Sequence, residues 1–296
     1  MTPAIRVDHL SKTYQTGWRG RSVTAVRDVS LEVQIGEAFG FIGPNGAGKS
    51  SAIRILMGLS TPSSGSAEFF GMSVTEPAAR KGVGYVPESP YLYDYMTPNE
   101  ILGMSLQMHQ VRQADRRGHI GGWLERLGLS AVVDTPIRSF SKGMVQRVAI
   151  AQALAIGPKL LVLDEPLSGL DPIGRLEVVE LLAEYKSAGG TLFFTSHVLH
   201  DVERLADRFG LIHKGDLRSV NSPAELVGDD DQVLIRSTGV AEVAGMTVEG
   251  IGRWSGVFPR SMLWPQLEAL RLGNHSVLEI KPTLSLEAAF LKIVGK

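Results

Sequence analysis

Residues 43–50 read GPNGAGKS, following the apolar run EAFGFI and preceding the helical pattern KSSAIRILMGL. The octapeptide satisfies Gly-x-x-x-x-Gly-Lys-Ser, and strand–loop–helix is the setting in which such a loop binds phosphate. With no Cβ atoms at Gly46 and Gly48, backbone N–H groups can close on phosphate oxygens, reinforced by the dipole of the following helix. Lys49 is placed to reach the β- and γ-phosphates, the Ser50 hydroxyl to ligate Mg²⁺, and Ser51 to add a hydrogen bond. Gly43, Pro44, Asn45 and Ala47 complete the cradle. ATP and Mg²⁺ are therefore the expected cofactors.

The loop dictates an α/β fold, and the rest of the chain fits one. LLVLDEP (160–166) leads into DPIGRLEVVELLAEYKSAG (171–189), and TLFFTS (191–196) into HVLHDVERLADR (197–208). Up to about residue 215 this alternation predicts βαβ units and a mainly parallel sheet. Residues 92–157 carry helical patterns without a convincing strand, which reads as a helical insertion. The acidic stretch 228–231 reads as a linker or turn. Beyond it, VLIRST, EALRLG and SVLEIKP suggest a small α+β appendage ending in a helix, LSLEAAFLKIV. The expected domains are 1–222, a P-loop NTPase, and 223–296, an accessory unit.

Thirty Lys and Arg stand against 31 Asp and Glu, so no overall basicity recruits nucleic acid. The chain has no cysteine, which excludes disulfides and thiolate metal sites and fits a reducing compartment. Neither a signal peptide nor an apolar run of the roughly 18 residues that span a bilayer is expected. Any membrane role then goes through a partner, without direct insertion.

Two carboxylates close LLVLDEP at the edge where parallel sheets bind ligands. Asp164 fits the holding of Mg²⁺ through its water shell, and Glu165 fits a base that orients or deprotonates an attacking water. A helix cap before Pro166 is the plainer reading of the pair, but it is outweighed downstream of a phosphate loop. FSKGMVQR (140–147) reads as a second helix start stripped of bulk, with Ser141 as its cap and free amides for an anion. Asp171 can cap the helix that has Pro172 at its first position. His200, three residues after His197, finds neither a cysteine nor an obvious third ligand, so zinc is rejected.

Phosphate loop, small-residue helix start, LLVLDEP, SGLDP and TSH occur in that order over residues 5–220. The whole resembles the ATP-binding subunit of an ABC transporter. The resemblance implies that Ser141, Lys142 and Gly143 serve the γ-phosphate of ATP held by the opposite subunit, so that two subunits sandwich two ATPs head to tail. It implies that His197 contacts the γ-phosphate beside Lys49 and Glu165, that Tyr14 stacks on adenine, and that Asp171 with Ser168 meets the other subunit. Both partners, a second copy and integral-membrane permease subunits, come from the same resemblance, as does a place on the cytoplasmic face of the membrane.

Two departures from the family pattern carry information. Phe140, Lys142 and Met144 replace the usual Leu, Gly and Gln, and Glu88 stands where a glutamine usually bridges Mg²⁺ and the membrane subunit. Both variants are similar to the export branch that includes drug, sodium and gliding-motility systems. Glu88 joins Ser50 and Asp164 as a candidate metal ligand. SPYLYDYMTPNE (89–100) concentrates three tyrosines beside Glu88, each as suited to a partner interface as to the insertion's own core. A soluble ABC ATPase acting on nucleic acid or ribosomes is the alternative, but the tandem units or long coiled coil expected there are missing.

Overall fold

The computed structural model describes residues 2–16, 21–112, 116–228 and 232–282. The chain divides into two compact units, residues 1–221 and 222–296.

In the first unit the strands are β1 (Ile5–Thr16), β2 (Arg21–Val33), β3 (Ala38–Ile42), β4 (Ser64–Phe69), β5 (Met72–Ser73), β6 (Val83–Val86), β7 (Leu160–Leu163), β8 (Thr191–Ser196), β9 (Arg208–His213) and β10 (Asp216–Asn221). They form one sheet in the order β5-β4-β1-β2-β10-β9-β3-β8-β7-β6. Its helices are α1 (Lys49–Leu56), α2 (Pro98–Met108), α3 (Arg116–Arg126), α4 (Lys142–Ala155), α5 (Pro172–Ser187) and α6 (Leu199–Leu205).

The sheet is less parallel than the sequence suggests. Parallel pairing joins β9, β3, β8, β7 and β6. The other end, β5-β4-β1-β2, is antiparallel, as is the β9–β10 hairpin. The long strands β1 and β2 are broken by register shifts, and His9 and Asp28 sit at positive φ of 46° and 49°. Such bulges interrupt the period-2 alternation by which a half-buried strand is recognised.

Every residue of β3, β7 and β8 is buried. Strands covered on both faces read as continuous apolar runs, which is why AFGFI, LLVL and TLFF could be placed from sequence. Phe39 and Phe193 stack across neighbouring strands with ring centroids 5.9 Å apart. Among the described residues, 92–157 hold α2, α3 and α4 and no strand. α2 begins at a capping box, Thr97 with Glu100, and α4 buries Ala149, Ala151, Ala153 and Ala155 against its neighbours. The helix read over 197–208 is shorter, because Ala206 turns extended and Arg208 already opens β9.

The second unit has α7 (Pro223–Gly228), β11 (Gln232–Thr238), β12 (Thr247–Gly250), β13 (Arg253–Pro259), α8 (Leu263–Leu272) and β14 (Ser276–Pro282). An antiparallel sheet β12-β13-β11-β14 packs α8 through Val233, Ile235, Phe258 and Leu270. β12 and β13 escape the sequence reading, since Val248 and Val257 are exposed, β12 is only four residues long, and a glycine interrupts β13. The helix expected over 284–294 lies outside the described residues, as do 229–231 of the expected linker. Among the described residues no helix is long and apolar enough to cross a membrane.

Candidate functional site

β3 delivers the phosphate loop and α1 leaves it. Gly48 sits at φ +112°, and a Cβ there would stand 2.1 Å from the Ala25 carbonyl oxygen. At Gly43 a Cβ would stand 2.2 Å from the Ile212 carbonyl oxygen. Both clashes are with backbone, which cannot swing aside, so glycine is needed at both. Gly48→Ala combines this clash with a backbone region that costs an L-residue about 1–2 kcal/mol. It is expected to abolish binding of a fluorescent ATP analogue, and full binding by the variant would refute the cradle.

Asn45, Gly46, Ala47, Gly48, Lys49, Ser50 and Ser51 wall an open cavity of about 380 Å³ together with Ala25, Glu88 and Glu165. Lys49 is buried, and its Nζ donates to the carbonyls of Gly43 at 2.6 Å and Pro44 at 3.3 Å. The same Nζ stands 3.2 Å from Glu165 Oε1. That contact is a charge pairing and not a hydrogen bond, because Oε1 is buried with no hydrogen-bond partner among the described residues.

Glu165 lies two residues past β7 at a positive φ of 50°, a conformation uncommon outside glycine. Its N–H donates to Thr195 Oγ1 at 2.8 Å, and that hydroxyl donates to Asp164 Oδ1 at 2.7 Å. His197 Nδ1 lies 2.8 Å from Glu165 Oε2. With the carboxylate ionised, Nδ1 carries the proton and donates. The Glu165 carboxylate thus has one oxygen engaged by imidazole and the other oriented beside an ammonium with a lone pair free, an arrangement suited to receiving a proton from a water.

The donor set suits Mg²⁺. This ion takes hard oxygen ligands, keeps several waters, and needs only one or two carboxylates when phosphates complete its shell. Ser50 and Glu88 share a wall of the phosphate cavity, with Asp164 buried behind Glu165 on the Thr195 hydroxyl. The partnerless Glu165 Oε1 is a further acceptor for a water at that place.

Ser141, Gly143, Gly169 and Asp171 wall a second cavity of about 410 Å³. Ser141 caps α4 by accepting from the Met144 N–H at 3.3 Å, and Asp171 caps α5 by accepting from Gly174 at 2.9 Å. Lys142 reaches Ser168 Oγ at 3.4 Å. Among the described residues the two cavities share no wall residue. Tyr14 lines neither; Lys12 Nζ sits 4.9 Å over its ring, and its hydroxyl is buried without a partner among the described residues.

Sequence reasoning missed three residues that hold these parts. Thr195 is the hinge between Asp164 and Glu165; a hydroxyl closing the apolar run TLFF was its signal. Gln146, fully buried, donates to the Pro166 carbonyl at 3.1 Å and ties α4 to the segment after Glu165. Arg147 pairs with Asp171 at 3.6 Å and Glu177 at 2.9 Å. Adjacent polar residues near the start of the apolar helix VQRVAIAQALA mark both.

Beside Glu88, Tyr91, Tyr93 and Tyr95 are 101%, 66% and 81% exposed, so none of the three belongs to the insertion's core. Tyr91 and Tyr93 flank a groove of about 300 Å³ walled by Tyr85, Pro87, Leu92, Ile101 and Met104.

A family model described as "ABC transporter" matches residues 26–168. An uncharacterized ABC transporter ATP-binding protein of Nostoc sp. (strain PCC 7120) is 36% identical over 100% of this chain and 91% of its own length. The lantibiotic transport ATP-binding protein SrtF of Streptococcus pyogenes is 38% identical over 72% of this chain and 88% of its own. A solved structure of the ATP-binding subunit of an ABC transporter superposes with a TM-score of 0.69. It covers 76% of this chain and 92% of its own at 29% identity.

Proposed function

Because this chain belongs to the ABC transporter ATP-binding proteins, and is therefore an ATPase that binds ATP with Mg²⁺, we propose that it powers an exporter through separate membrane subunits. Two copies face each other, and each P-loop cavity is completed by Ser141 and Gly143 of the second copy. The separation of the two cavities on one chain is the observation that supports this reading, since neither alone gathers both the phosphate loop and the Ser141 helix start.

In the closed pair Lys49 and the loop amides hold the phosphates, Tyr14 takes the adenine, and Glu165 takes a proton from the attacking water. Ser50, Asp164 and Glu88 would hold Mg²⁺, which would supply positive charge to offset that of the phosphates. His197 steadies Glu165 and reaches the γ-phosphate. Lys142 and Asp171 contribute to the face that meets the second copy. Residues 1–222 are the ATPase, and 223–296 an accessory unit for regulation or dimer contact.

The groove between Tyr91 and Tyr93 suits a short apolar segment of a membrane subunit, which supports a peripheral position at the cytoplasmic face. Export is favoured by Glu88, by the Ser-Lys-Gly-Met start of α4 and by the likeness to a lantibiotic transport protein. The chain has no cysteine, so Tyr91→Cys introduces a unique thiol. In membranes holding the complete transporter, this thiol is expected to cross-link to the membrane subunit, and labelling of only soluble proteins would sink the reading. Glu88→Gln is expected to leave ATP binding within twofold while changing the stimulation of ATPase by the membrane subunits. Unaltered transport and Mg²⁺ dependence would remove Glu88 from the site.

A further inference from the structure

Asp201 is 3% exposed, yet none of the roles above uses it. It lies in the first turn of α6, whose N-cap residue, Val198, supplies no side-chain cap. Ser196, two residues before Val198, instead fixes the turn that enters the helix. Its Oγ accepts from the Val198 N–H at 2.9 Å, and its single proton has two acceptors in reach, the Val198 carbonyl at 3.1 Å and Asp201 Oδ2 at 3.4 Å. The other carboxylate oxygen of Asp201 faces Arg175 of α5 at 3.7 Å. His197, the residue that touches Glu165, sits inside the turn these groups fix. Glu165, Ser168, Arg175, Ser196, His197 and Asp201 also share a cavity of about 10 Å³, room for about one water.

We infer that Asp201 is a positioning residue for His197, pinning the Ser196–Val198 turn from one side and drawing on Arg175 from the other. The inference rests on the proposed role of His197 beside Glu165. An ionised carboxylate does this best, because it attracts Arg175 and offers Ser196 only acceptors. Burial pushes the Asp201 carboxyl above its ordinary range and Glu165 pushes the same way, while Arg175, the Ser196 hydroxyl and His200 on its own helix pull it down. His200 is itself paired with Glu203 at 3.6 Å. Protonation at acid pH releases Arg175 and loosens the turn.

The test is steady-state ATPase of the full chain, or of the assembled transporter, across pH. Asp201→Ala is expected to lower kcat about tenfold with KM for ATP within twofold, the size of loss that a small misplacement of a reacting group brings. Asp201→Asn keeps an acceptor for Ser196 and removes the titration, so the acid limb of the kcat profile should lose the Asp201 step. Arg175→Met leaves the buried carboxylate without its counter-charge and should move that limb to higher pH. If Asp201→Asn and Arg175→Met both keep the wild-type profile, the inference fails, even where Asp201→Ala does not fold. His197→Ala separates the two levels. Wild-type turnover in that variant overturns the site reading itself, whereas lost turnover with unchanged Asp201→Asn overturns only the role of Asp201.

Discussion

Glu165→Gln is expected to lower ATP turnover by on the order of 10²–10⁴-fold, the usual contribution of a general base. The substitution keeps the shape of the side chain. Its amide oxygen can still accept from His197, so the turn holding that ring is preserved, but the group that would take the proton is gone. Replacing the carboxylate also removes the negative charge 3.2 Å from Lys49 Nζ, which frees the ammonium for the β- and γ-phosphates. Nucleotide binding is therefore expected to persist or tighten while cleavage stops. Two copies closed on uncleaved ATP would remain closed, and light scattering on the variant should show its mass doubling when ATP and Mg²⁺ are added. Wild-type turnover would remove Glu165 from the role of base. A monomer that binds ATP without pairing would mean that closure needs the membrane subunits.

The parts of this site that could be read from sequence are those in which local chemistry and local structure coincide. GPNGAGKS announces both a turn that needs glycine and the ligand that uses it; LLVLDEP announces a buried strand and the carboxylates at its end. Ser141 and Asp171 were legible as caps because a helix start needs an acceptor for its first amides, and both serve as caps in the structure. The unread parts depend on contacts between distant segments. Thr195 joins Asp164 and Glu165 only because β7 and β8 are neighbours, and Arg147 meets Asp171 only because α4 packs beside the start of α5. The antiparallel end of the sheet was hidden for a different reason. β1 and β2 expose residues on one face, but their bulges break the alternation by which such strands are recognised. Tyr14 stands apart: its proposed adenine-stacking role comes from the family resemblance and not from local geometry, since Lys12 lies over its ring and it borders neither cavity.

Ser141→Arg is expected to abolish ATP-driven pairing and to reduce turnover on the order of a hundredfold, the scale on which loss of a single phosphate-directed donor acts. Ser141 is an exposed wall residue of the 410 Å³ cavity, where an arginine would fill space that the opposite copy's γ-phosphate is proposed to enter. Losing the α4 cap adds a stability cost of about 1 kcal/mol, and Ser141→Ala, which carries that cost without the bulk, serves as the control. ATP binding by the isolated chain should be unaffected, since the phosphate loop shares no wall residue with this cavity among the described residues. Mixing provides the decisive arm. Lys49→Ala disables the phosphate loop but keeps a native Ser141, and Ser141→Arg does the reverse. In a mixed pair one composite site has the loop of the Ser141→Arg chain and the serine of the Lys49→Ala chain, both native. Mixing two inactive preparations should therefore restore hydrolysis if Ser141 works across the pair. If Ser141 served the phosphate loop of its own chain, every site in the mixture would carry one defect, and the mixture would stay as inactive as its components.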